Sequence, residues 1–225
     1  MRIVIRHNSL WWLLRWIKRG LFAGAVGMLG YCCFVLVDGW IFQNQERRQL
    51  ERLLRDRLEA KGGIRAAAYS ASPEYPATAV TAGLIGRLEI PRLGLTAIVI
   101  EGTGKGTLRR AVGHIPGTAL PGQPSNVGLS GHRDTFFRPL RNIRRDDAIT
   151  ITTLHGEYHY RVVSTKVVSP ADVAVLNPSK TEILTLVTCY PFYFVGSAPQ
   201  RFIVRAERVG TVSTLTLPDR VRADR

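Results

Sequence analysis

The sequence predicts an all-β fold: a closed or nearly closed β-barrel, carried behind an N-terminal membrane-spanning helix and a helical stalk. Three observations predict it. From residue 84 onward, β-like runs recur at 84–90, 97–100, 127–130, 148–153, 158–163, 183–189 and 202–208, separated by clusters of Gly, Pro, Asn and Asp. Only brief helical turns, near 108–112 and 137–143, interrupt them, and short strands at such spacing favour a barrel. Ahead of them, residues 21–37 carry no charge and follow Arg2, Arg6, Arg15, Lys18 and Arg19 with no acidic residue among them.

Composition narrows the class. A chain of 225 residues can build one core plus an appended segment. With 45% apolar and 21% charged residues it reads as globular. The formal charge of +14 raises nucleic acid as a partner, but no basic stripe is interleaved with aromatics, so none is expected. Membrane orientation accounts for part of the excess, and attraction to an anionic envelope surface for some of the rest. The three cysteines, Cys32, Cys33 and Cys189, offer neither a disulfide framework nor zinc spacing. Asp146, Asp147 and Glu157 are too few to argue for calcium, so neither metal nor cofactor is expected.

In chain order, residues 1–20 form a basic segment that stays cytoplasmic. The span is read at 21–42: the uncharged run 21–37 is interrupted by Asp38 and extended by Gly39, Trp40, Ile41 and Phe42, near the roughly 20 residues needed to cross a bilayer. Trp11, Trp12, Trp16 and Trp40 suit the two interfaces. A cleaved signal peptide is the rival, but the apolar run is long for one and no A-x-A site follows. The chain after residue 42 then faces outward. Residues 43–61 read as a helical stalk, with Leu50, Leu53, Leu54 and Leu58 at helical spacing. That stripe suits a partner helix, the domain or a solvated face. Residues 62–83, rich in Ala, Ser, Thr and Pro, read as a linker. The barrel occupies 84–210, with a tight turn at His155-Gly156-Glu157, and 211–225 form a C-terminal tail.

The chemistry centres on Leu184-Thr185-Leu186-Val187-Thr188-Cys189-Tyr190-Pro191. A half-apolar, Thr-rich strand runs into a cysteine and stops at a proline that cannot donate to a ladder. A thiol there is fixed by the sheet yet can face a groove, as a nucleophile requires; a small buried hydrophobe is the equally natural alternative. His132, after Gly131, lies at another strand exit, and Arg201 begins the last strand. If the strands bearing Cys189 and Arg201 pair as a hairpin, the two emerge at one end of the sheet. Thiolate, imidazolium and guanidinium together suffice for acyl transfer. Spacing alone is weak support.

Thr185-Leu186-Val187-Thr188-Cys189 resembles the TLxTC signature of sortases, the cysteine transpeptidases of bacterial surfaces. The likeness is wider: Val112-Gly113-His114-Ile115-Pro116-Gly117-Thr118, Ser130-Gly131-His132-Arg133-Asp134-Thr135-Phe136-Phe137, Cys189-Tyr190-Pro191-Phe192 and Ala198-Pro199-Gln200-Arg201-Phe202 recur in order. It covers residues 84–209 and is nearest the class D branch. The resemblance implies an eight-stranded barrel, with Cys189 as nucleophile, His132 as general acid and then base, and Arg201 as oxyanion and substrate stabiliser. It also points to Thr188, Tyr190 and His114 as substrate-binding candidates, His114 at a position that shapes the barrel mouth. The implied partners are a client protein with a C-terminal sorting signal, usually of LPxTG type, and an amine acceptor on peptidoglycan precursor or a protein lysine. The implied location is a single-pass membrane protein with its catalytic domain outside.

Other residues are expected in lesser roles. His155 and His159 should face solvent, Arg205 and Arg208 should have structural or surface roles, and Asp134 either orients His132 or caps a turn. Cys32 and Cys33 should face lipid or pack within the helix. Among rivals, an L,D-transpeptidase would carry a His-Gly-Cys motif where Val187-Thr188 precede Cys189, and a papain-like enzyme would open a helix with its cysteine. A membrane-tethered barrel that binds envelope peptides without catalysis is the non-enzymatic alternative.

Overall fold

In the computed structural model, which describes residues 7–63, 83–194 and 196–210, eight strands close into a barrel. They are β1 Leu84–Ile90, β2 Leu95–Glu101, β3 Val112–His114, β4 Asn126–Ser130, β5 Ala148–Thr153, β6 Gly156–Val168, β7 Ile183–Tyr190 and β8 Gln200–Arg208. Around the barrel the order is β1-β2-β3-β4-β7-β8-β6-β5. The β2–β3 and β4–β7 pairs are parallel and the others antiparallel. Alternation places Leu88, Ile90, Leu129, Ile149, Ile151, Leu184, Leu186 and Val204 in one shared core. This is the eight-stranded barrel that the motifs imply.

The differences from the sequence pattern have local causes. The helical turn expected near 108–112 lies earlier, as α2 over Lys105–Arg110, and β3 begins two residues after it. Three residues centred on Gly113 are too few to show a period of two. There is no room at Gly113 for a side chain, since an added Cβ would sit 2.2 Å from the Gly102 carbonyl oxygen. β6 is 13 residues long, well beyond 158–163. Its second half carries exposed Ser164, Thr165 and Lys166, so no apolar alternation marks it, and its pairing with β8 holds it extended. A 3-10 turn, Pro91–Leu93, links β1 to β2 and closes through Gly94, whose φ of 60° suits glycine. His155 is half-buried, not solvent-facing as expected, whereas His159 is exposed.

One helix, α1, runs from His7 to Gly63 without a break, so apolar segment and stalk are continuous. It is long and apolar enough to cross a membrane, and its apolar window is uncovered by the rest of the chain. Beyond that window the barrel seats directly on it. Leu50 is fully buried against Leu84 and Ile98, flanked by Leu54 and Ile100, which contributes about 1.5–3 kcal/mol for the leucine side chain. The leucine stripe therefore meets the domain, with Leu53 left exposed. Asp38 accepts from Arg110 Nε and Nη2 at 2.9 and 3.1 Å. Gln43 bridges the same surfaces, accepting from the Ile98 amide at 2.9 Å and donating to the Arg110 carbonyl. The expected linker falls mostly, and the expected tail entirely, outside the described residues.

Candidate active site

Cys189 is the penultimate residue of β7. Leu184 and Leu186 point into the core and Thr188 is buried, so alternation turns Cys189 to the opposite face. On β8, Phe202, Val204 and Ala206 pack inward, which sends Arg201 to the face that Cys189 shares. The β7–β8 register sets Cys189 directly across from Arg201. Cross-strand neighbours of this kind hold their Cβ atoms about 5 Å apart. A second register brings in the imidazole. β4 runs parallel to β7 with Ser130 opposite Val187, and the Gly131 amide donates to the Val187 carbonyl at 3.2 Å. Two residues further on, His132 therefore leaves its strand level with Cys189.

The three meet in one cleft of about 290 Å³, lined also by Arg133, Asp134, Gly196, Ser197 and Ala198. Cys189 is half-buried and His132 exposed, so the thiol is both anchored and reachable. Arg201 is half-buried, and its Nη1 donates to the carbonyls of Ala198 and Gln200 at 3.2 and 3.0 Å. The turn that carries His132 is tight: the amides of Thr135 and Phe137 both donate to its carbonyl, at 3.4 and 3.0 Å. Phe137 is fully buried against Gly131, where an added Cβ would lie 2.8 Å from the ring. Only glycine fits at that approach.

The remaining candidates stand elsewhere. Thr188 is 2% exposed and does not line the cleft; its hydroxyl donates to the Gly131 carbonyl at 2.8 Å. That hydrogen bond ties the His132 segment to β7. His114 is buried, with Nδ1 2.8 Å from Glu101 Oε2 and Nε2 2.9 Å from the Ala119 carbonyl oxygen and 3.0 Å from Thr118 Oγ1. Both ring nitrogens are engaged, and the residue ties the β3–β4 connection to the end of β2. Tyr190 packs among Phe192 and Phe202, with centroids 6.0 and 6.2 Å away, beside the cleft and not on its wall. None of the three lines the cleft that holds Cys189, His132 and Arg201. Asp134 is exposed on the cleft wall and makes no hydrogen bond to His132 among the described residues.

Two supporting residues escape a reading of the sequence alone. Arg133, merely the neighbour of His132, hydrogen-bonds the carbonyls of Pro191, Phe194 and Gly196. Asn126 is buried, donates to the carbonyls of Val175 and Asn177, and accepts from Thr185 Oγ1 at 2.7 Å, pinning the β6–β7 connection. An amide opening an otherwise apolar strand was the available signal for Asn126.

Known proteins share this sequence pattern and fold. Residues 88–209 match the Sortase domain family model. Sortase D of Bacillus subtilis (strain 168) is 32% identical over 194 residues, covering 84% of this chain and 96% of that protein. Sortase A of Listeria monocytogenes serovar 1/2a is 28% identical over 110 residues, 47% of this chain and 49% of that one. Among solved structures, a Clostridium perfringens Sortase D5 transpeptidase superposes with a TM-score of 0.52 at 31% identity, covering 56% of this chain and 79% of that one. Sortase C2 of Group B Streptococcus Pilus Island 1 gives 0.55 at 28%, covering 63% and 82%. With the domain match spanning more than half the sequence and the barrel in agreement, the chain belongs to the sortase family.

Proposed function

We propose that the protein is a membrane-anchored cysteine transpeptidase that cleaves a C-terminal, LPxTG-like sorting signal of a client protein and passes the acyl fragment to an amine. The observation that carries this reading is the shared cleft of Cys189, His132 and Arg201, set by two strand registers in a member of this family. The Cys189 thiolate attacks a peptide carbonyl of the signal, forming the C–S bond. Arg201, with Nε and Nη2 making no hydrogen bond among the described residues, steadies the oxyanion. His132 as imidazolium protonates the leaving amine as the C–N bond breaks, and a thioester remains. An incoming amine attacks the thioester, His132 accepts its proton, and the Cys189 thiolate departs. The acceptor is an amine of peptidoglycan precursor or a protein lysine, and water in its place gives hydrolysis as a side reaction.

Helix α1 supports the proposed placement: Arg15, Lys18 and Arg19 on the cytoplasmic side, the uncharged run 21–37 in the membrane, and the barrel outside, where its Arg110 meets Asp38. The test uses the full-length protein in detergent micelles, a panel of sorting-signal peptides and a small amine. Ligated product from the wild type and its loss in Cys189→Ala support the reading. Peptide binding that survives unchanged in Cys189→Ala, with no product from either protein, would identify a binding barrel instead.

A further inference from the structure

Arg133 leaves β4 beside His132, yet its guanidinium reaches across the cleft to the connection between β7 and β8. Nη1 donates to the Pro191 carbonyl at 3.0 Å, and Nη2 to those of Phe194 and Gly196 at 2.7 and 2.8 Å. The same guanidinium lies 5.9 Å from the centroid of the Phe194 ring. No carboxylate pairs with it among the described residues. The connection it grips has little structure of its own: within 191–199 one backbone bond is present among the described residues, Phe194 amide to Pro191 carbonyl at 3.3 Å. Gly196, with φ of 105°, is a loose joint in it. Charge-assisted bonds from a planar fork are stronger than neutral ones and lose little entropy on forming. One cation thus fixes three carbonyls spread along the segment that joins Cys189 to Arg201.

We infer that Arg133 is a positioning residue that latches the β7–β8 connection to the His132 turn, and so sets imidazole, thiol and guanidinium at working separation. The inference rests on the transpeptidase reading for its kinetic consequence, but not for its structural one. A lysine cannot replace it, because a single ammonium cannot span three carbonyls in fork geometry.

The test compares full-length wild type with Arg133→Gln and Arg133→Lys in micelles. Transfer kinetics, hydrogen exchange and the alkylation rate of Cys189 by iodoacetamide are measured on each. The expected kcat of Arg133→Gln falls about 10- to 100-fold, the penalty of an ångström-scale misplacement, while KM stays within about twofold. Arg133→Lys recovers only a minor part. Exchange rises at residues 192–194 and 196–198 and at 131–136, while amides of the barrel core keep wild-type protection. Wild-type kcat in either variant overturns the inference, as does unchanged exchange in the connection or exchange that rises everywhere. If the wild type transfers nothing, the proposed function fails. The exchange result still decides the latch, since unchanged exchange in the connection of Arg133→Gln would overturn it, and a changed Cys189 alkylation rate accompanies its release.

Discussion

Thr188 sits between the two segments that carry the reacting groups, its hydroxyl donating to the Gly131 carbonyl at 2.8 Å in a place water does not reach. Thr188→Val keeps the shape and deletes the donor, leaving a buried carbonyl unpaired at a cost of about 1–3 kcal/mol. Because that carbonyl immediately precedes His132, turnover is expected to fall as well. Thr188→Ser should restore both, as melting and transfer assays on the pair can check. At the reacting groups themselves, His132→Asn is expected to lower kcat by about 10²- to 10⁴-fold through loss of proton transfer. Arg201→Ala should cost about 10²- to 10³-fold through loss of oxyanion stabilisation, measured with the same peptide and amine. The sequence pattern named Cys189, His132 and Arg201 because each closes or opens a strand at a Gly- or Pro-marked boundary. Thr188 and His114 match family motifs as well, but alternation and packing bury their side chains. Only the register makes that visible.

Among elements, the seat of α1 on the barrel has its own energetics. Leu50, Gln43 and Asp38 hold three levels of the helix against β2 and α2, so the helix is coupled to the domain. Leu50→Asp places a charge in an apolar contact and should release the helix without melting the barrel. The expected readout is faster hydrogen exchange at the Ile98 amide, which Gln43 otherwise caps, with exchange at Leu186 and Val204 unchanged. A leucine stripe among charges announced that this helix buries one face, but left its partner open, since partner helix and barrel surface present the same apolar chemistry. β3 and the far half of β6 were hidden for the opposite reason. Their extended state comes from neighbours distant in sequence, β2 and β4 for one and β8 for the other.

For the molecule as a whole, closure of the barrel leans on polar staples outside the cleft. Asp147 is buried at the β5 end, accepts from the Arg144 amide at 2.7 Å and pairs with Arg92 from the β1–β2 turn. The Arg92 hydrogen bond, helped by the Arg144 amide, holds its carboxyl below the ordinary carboxylate range despite burial. A lowered folded-state pKa stabilises above the unfolded value, about 3.9, and that contribution is lost as pH falls through the lowered one. The melting-temperature gap between wild type and Asp147→Asn should therefore be widest above about pH 5 and shrink in stronger acid. A gap that is constant across that range would assign the pair no role in acid stability. The overall class was legible because seven of the strands announce themselves by alternation and turn residues. The pairing of β4 with β7 was not, because it joins segments more than 50 residues apart, and that pairing brings His132 to Cys189.

The central claim is tested most directly by intact mass spectrometry of the full-length protein, quenched in acid after mixing with a sorting-signal peptide. The account predicts a mass increase equal to the acyl fragment, located on Cys189 and discharged by added amine or hydroxylamine. Turnover of that peptide with no adduct on Cys189, or with the adduct on another residue, would contradict it.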